Sequence, residues 1–250
     1  MLALFRRGGW TADDAVEEPP LRSELFSADQ MEQHGKALAA SHALGAKRTR
    51  DLLLARLAEN EGVLRVACDQ LTAAIKDGRT GTPAGEWLLD NFHLIDEQIR
   101  TARRHLPRDY SRELPRLDNG PSAGLPRVYD IALETISHGD GQMDPDSFGR
   151  FIVAYQTVTQ LTLGELWAVP IMLRLALIEN LRRVGTRIIA HRSGRDLADF
   201  WAGQMTETAQ NDPKSLILVV ADMARSNPPM SSSFVAELAR RLQGQSAALA

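Results

Sequence analysis

One cysteine, Cys68, in 250 residues rules out an internal disulfide and a cysteine-built zinc site, and it fits a reducing compartment. Cys68 falls within a helical pattern and reads as a small core residue. A basic excess is missing too. Net charge is −3 and the isoelectric point lies near 6.1, so the arginine pairs at Arg103–Arg104 and Arg182–Arg183 make no footprint for nucleic acid. A bilayer span needs about 20 mainly apolar residues, and the most apolar stretch, Leu161 to Leu181, is interrupted by Glu165, Arg174 and Glu179. A secretory signal is absent: Met1 to Phe5 is apolar but is followed at once by Arg6 and Arg7, the reverse of the signal order. The chain has no phosphate loop, dinucleotide fingerprint, hydrolase elbow or H-E-x-x-H pair. Hairpin-turn chemistry between strands and fixed-period repeats are also lacking.

What is present is helical periodicity. Hydrophobic and charged fractions of 44% and 24% are those of an ordinary soluble protein, and the expected fold class is all-α, antiparallel helices around a buried central one. Residues 1–23, with the run DDAVEEPP, read as a disordered leader; residues 24–192 form the core domain; residues 193–250 form a smaller helical extension, read as cut short. Ser27 or Asp29 caps a first helix that runs to about Leu44. A second helix runs from Thr49 to Lys76 and stops at Asp77–Gly78, with Leu53, Leu57, Leu64, Ala67, Leu71 and Ile75 on its apolar face. Thr82 and Pro83 open a helix extending to Leu106, antiparallel to the second. A proline-rich irregular connection follows, anchored by Tyr110, Leu114, Leu117 and Tyr129. Helices resume at Arg127 and at Asp144–Pro145. Thr162 and Glu165 form a capping box for a helix to about Ile189 that is apolar on nearly every side and bent by Pro170. Glu179 can pair with Arg183 four residues on, whereas Arg174 must find a partner elsewhere. Shorter helices occupy Asp196–Ala209, Pro213–Arg225 and Ser232–Leu242.

The stretch from Glu86 to Leu106 has two sides. Leu88, Phe92, Ile95, Ile99, Ala102 and Leu106 share one, the core side. Glu86, Asp90, His93, Glu97, Arg100 and Arg104 share the other, a row of mixed charge that meets water or a partner. Asp90, His93 and Glu97 have the donor types of a metal site, but a solvated ion-pair row accounts for them as well, and no metal ligand is assigned. His138–Gly139–Asp140 reads as a turn. Trp87 and Trp167 could stack on sugar rings, yet the apolar periodicity around each favours core packing. No catalytic residue is assigned.

Four long segments resemble the N-terminal region of bacterial cyclic β-1,2-glucan synthases: EWLLDNFHLIDEQIR from Glu86, LPRDYSRELPRL from Leu106, GLPRVYDIALETISH from Gly124, and LTLGELWAVPIMLRLALIENLRR from Leu161. FSADQMEQHGKALA from Phe26 and FVAELARRL from Phe234 are more weakly similar. The resemblance implies a large inner-membrane enzyme that uses UDP-glucose, with a divalent metal in its catalytic module. It implies too that a glycosyltransferase module and a phosphorylase-like module lie C-terminal to the matched region. This chain would then be a non-catalytic helical region without a cofactor of its own. It would lie at the cytoplasmic face of the inner membrane, contacting the membrane indirectly and those modules as partners, through Glu86 to Arg104 and the loop Arg108 to Arg127. An independent helical interaction module and a small metal-assisted hydrolase using Asp90, His93 and Glu97 are the alternatives.

Overall fold

The computed structural model describes residues 20–21, 24–45, 52–79, 81–106, 110–139 and 144–246. The expected leader lies almost wholly outside them, as does the expected start of the second helix at Thr49. The described residues are all-α, with nine helices and one antiparallel two-residue ladder. They form two compact units, one ending at Thr186 and the other starting at Arg187.

In the first unit, α1 (Ala28–Ser41) starts at a capping box: the Ser27 hydroxyl accepts from the Gln30 amide, and the Gln30 side chain accepts from the Ser27 amide. It stops three residues before the expected Leu44. Asn119 provides the reason, since its side chain donates to the Ser41 carbonyl and accepts from the Ala43 amide, satisfying groups that would otherwise continue the helix. Leu44–Gly45 (β1) then pairs with Arg116–Leu117 (β2), a contact the turn chemistry did not announce. Beyond α1, His42 joins the Tyr155 hydroxyl at 2.7 Å and Asp130 at 3.0 Å.

The second helix, α2 (Leu53–Lys76), buries Leu53, Leu57, Leu64, Ala67, Cys68 and Leu71 as its periodicity requires, but Ala74 takes the inward place expected of Ile75, which is exposed. Burial pushes the Cys68 thiol up to about 11, the behaviour of an inert core cysteine. The helix expected from Pro83 to Leu106 is two: α3 (Pro83–Asp90) and α4 (Phe92–His105). The break is at Asn91, whose amide and side-chain nitrogen both donate to the Trp87 carbonyl. Such local side-chain bonding competes with the helical ladder. Contacts Leu71–Gly85, Arg65–Asp96 and Glu61–Arg103 set α2 antiparallel to this pair.

Leu114, Leu117 and Tyr129 anchor the irregular connection as expected, all buried, and Tyr110 reaches the Gly164 carbonyl. Arg116 is buried within it, donating to the Gly124 and Ser111 carbonyls. Next come α5 (Arg127–His138) and α6 (Pro145–Gln156), the latter capped by Asp144. α6 lies tightly on α1, where a Cβ built on Gly35 would come within 2.9 Å of the Phe151 carbonyl oxygen. Met31, Ala39, Ile131, Phe151, Ile152, Tyr155 and Leu161 make a core between them.

The longest helix, α7, runs unbroken through Pro170 from Leu163 to Asn211, well past the expected end near Ile189. The expected Thr162–Glu165 capping box is present. Gly194, within this helix, is a point of close approach: a Cβ there would meet the Ser233 hydroxyl at 2.7 Å. In the second unit, α8 (Leu216–Ser226) buries none of its residues and exposes Ile217, Leu218 and Val220, while α9 (Ser232–Ser246) buries Phe234 completely. Among the described residues no helix is long and apolar enough to cross a membrane.

Candidate functional site

Thr82 starts α3 by accepting from the Gly85 amide, and from there the apolar side of α3 and α4 turns inward: Leu88, Ile95, Ile99, Ala102 and Leu106 are buried and Phe92 is half-buried. The opposite side is consequently outward. Glu86, Asp90, His93, Glu97, Arg100 and Arg104 are all exposed. The mixed charges do not make the continuous ion-pair row that their spacing allows. Arg100 takes Asp96, which also receives Arg65 at 2.6 Å; Glu61 holds Arg65 and Arg103. The Arg65–Asp96 and Arg103–Glu61 links join α4 to α2. Asp96, nearly buried, is the acceptor that periodicity missed, because it is neither on the core side nor in the outward row.

The His93 ring nitrogen Nδ1 donates to the Asp90 backbone carbonyl at 3.0 Å, which fixes the imidazole along the helix. Nothing encloses Asp90, His93 and Glu97. Among the described residues, the His, Asp and Glu side chains that do gather tightly are His34, Glu134 and His138.

Both tryptophans correct the expectation of core packing. Trp87 is 53% exposed and Trp167 76% exposed. Trp87 stands one position before the buried Leu88, off the inward side that continues across Asn91 through Phe92 and Ile95. Trp167 projects from a helix whose neighbours Ala168, Ile171 and Met172 are buried, so the helix is not apolar on every side from need of burial. Leu94 and Leu163 are also exposed. Arg174, which had no helical partner, donates to the Gln98 side chain at 2.9 Å.

The face is backed by buried charge. Glu179 on α7 is wholly buried and accepts from Arg56 at 2.7 and 3.0 Å, from Asn60 at 2.9 Å, and from Arg182 and Arg183. Burial alone would raise its pKa, but the hydrogen bonds and charge of Arg56, with Arg182 and Asn60, outweigh it and hold the carboxyl at about 2. The expected Glu179–Arg183 pair is thus one spoke of a larger centre. A second buried pair joins α5 to α7: Arg127 donates to Glu165 at 2.6 and 2.8 Å, so the carboxylate that caps α7 also binds a guanidinium.

These features define an all-α helical domain with closed interior ion pairs and an open, mixed charged and aromatic surface. Over 233 residues the chain is 33% identical to the cyclic beta-(1,2)-glucan synthase NdvB of Rhizobium meliloti (strain 1021), a match that takes in 89% of this chain and 8% of that protein. The resemblance read from the segments at Glu86, Leu106, Gly124 and Leu161 is borne out: the chain is similar to a small part of a cyclic glucan synthase. No family model matches it.

Proposed function

We propose that the chain is a non-catalytic helical region of a cyclic β-1,2-glucan synthase, on which the catalytic modules of that enzyme are assembled. The observation that carries this reading is the coverage: nearly the whole chain matches, yet it accounts for 8% of the synthase it resembles. A helical region without a sugar-nucleotide motif is poorly suited to transfer glucose by itself. UDP-glucose and a divalent metal belong, in this reading, to the glycosyltransferase module, which with a phosphorylase-like module is the partner of the surface on α3 and α4. The region then sits at the cytoplasmic face of the inner membrane and touches the bilayer only through those modules.

The outward residues Glu86, Asp90, His93, Glu97, Arg100 and Arg104 supply charge for docking, and Trp87 and Leu94 supply apolar area beside it. Aromatic anchors within a polar rim are the usual composition of a protein contact. Asp90→Lys with Glu97→Lys in the intact synthase is expected to lower cyclic glucan output severalfold while the circular dichroism and melting of the isolated chain stay as in the parent. Undiminished output with the reversed charges would reject the docking face.

A further inference from the structure

We infer that His34, Glu134 and His138 form a binding site for a zinc-class divalent ion, away from the α3–α4 face and independent of the docking role. Glu134 and His138 are four apart on α5 and so project from one side of that helix; His34 reaches the same point from α1. The His34 Nε2 lies 2.9 Å from Glu134 Oε2, and His138 Nε2 lies 3.4 Å from the same oxygen. All three donor atoms fall within 4.8 Å of one another. Zinc bonds to histidine nitrogen and carboxylate oxygen are about 2.0–2.2 Å, which at tetrahedral angles separates donor atoms by about 3.3 Å. The His138–Glu134 edge fits that separation, and the His34–Glu134 edge, at hydrogen-bond length, has only to open by about 0.4 Å to admit the ion.

A hydrogen-bonding argument points to a cation at this spot. His138 Nδ1 lies 2.8 Å from the Glu24 carbonyl, and a carbonyl only accepts, so that nitrogen carries the proton. In a neutral imidazole the other nitrogen, Nε2, then presents a lone pair. That lone pair faces a carboxylate oxygen, a repulsive arrangement unless positive charge lies between them, as a proton or as a metal ion. A metal-bound histidine characteristically donates its far N–H to a backbone carbonyl in this way, which fixes both tautomer and ring orientation. The rings are also held by packing: Phe26 stacks on His138 with centroids 3.8 Å apart and meets His34 edge-on at 5.4 Å. Two imidazoles and one carboxylate suit zinc and its first-row neighbours rather than magnesium or calcium. Three protein donors leave a fourth position for water or an incoming ligand. His138 is 9% exposed, His34 23% and Glu134 32%, so that position is reachable from solvent.

The test is zinc titration of the chelator-treated 250-residue chain by calorimetry, with Co²⁺ as a spectroscopic substitute. One equivalent is expected to bind in the micromolar range or tighter, with the visible bands of four-coordinate cobalt and a raised melting temperature. His34→Gln, at a partly exposed position, is expected to weaken binding at least about tenfold, and Glu134→Gln likewise; circular dichroism checks the fold of each. His93→Ala is expected to leave zinc affinity and stoichiometry as in the parent, which separates this group from Asp90, His93 and Glu97. Absence of stoichiometric binding to the parent chain, or binding that survives His34→Gln undiminished, would overturn the site. Because none of these readouts involves glucan synthesis, failure here is distinguishable from failure of the docking face.

Discussion

Replacing Glu179 by Gln keeps the shape of the side chain and removes its charge, leaving Arg56, Arg182 and Arg183 around a neutral acceptor. The ordinary carboxyl value of 4.5 falls to about 2 in the fold, a gap of roughly 2.5 pH units worth on the order of 3 kcal/mol at about 1.4 kcal/mol per unit. Glu179 is fully buried, so solvent does little to discount that figure. Losing one member of a buried ionic group independently suggests about 3–5 kcal/mol. The direction with pH follows from the depressed value. The charged carboxylate contributes its full stability above the unfolded value of about 4.5, and that contribution drains away as pH falls toward about 2. Urea midpoints of parent and Glu179→Gln, taken at steps from about pH 7 to about pH 3, measure the difference directly while other carboxylates cancel. Parent and variant are expected to differ by about 3 kcal/mol at neutral pH and to converge in acid. A gap that is flat across the range, or under about 1 kcal/mol at neutral pH, would refute the claim that this centre is held by charge.

Arg127→Met should cost about 3–5 kcal/mol by leaving the buried Glu165 side chain without its guanidinium, and Glu165→Gln added to it should recover part of the loss in a double-mutant cycle. Gly35→Ala should lower stability by about 1–3 kcal/mol in urea unfolding, because the new methyl meets the Phe151 backbone oxygen, which cannot swing away. Trp87→Ala and Trp167→Ala should each shift stability by no more than about 0.5 kcal/mol, as both rings stand largely in water; a larger loss by thermal melting would return them to the core.

How much of this was legible follows from the range over which each signal acts. A 3.6-residue period is local, so the inward faces of α2 and α4, the Thr162–Glu165 cap and the all-α class could be read from neighbours in the chain. The break at Asn91 could not, because asparagine disturbs no hydrophobic pattern and its side chain only adds a second donor to the Trp87 carbonyl. The close approach at Gly194 was not legible either, since the serines that crowd it belong to α9. The interior ion pairs are legible only once helices are packed: Arg56 and Asn60 lie more than a hundred residues before Glu179. The same holds for His34, a hundred residues from Glu134. The one local trace of that group was the spacing of Glu134 and His138 on a single helix face.

Buried and exposed residues argue in opposite directions about what the fold is for. Every strong buried carboxylate described above is answered from within the chain: Glu179 by two arginines of α7 and two side chains of α2, Glu165 by Arg127. Large apolar groups are left in water instead. Leu163 and Trp167, four apart on α7, stand 68% and 76% exposed, and in the second unit Ile217 stands 73% exposed. A single exposed leucine asks for no explanation, but a tryptophan beside one on the same helix face costs solubility without helping the core. On the proposed reading, a fold that closes its charges internally and leaves aromatic area outward keeps that area for a neighbouring module. Substitutions inside should therefore move folding, and substitutions on α3, α4 and the outer face of α7 should move assembly with a larger enzyme while folding is unchanged.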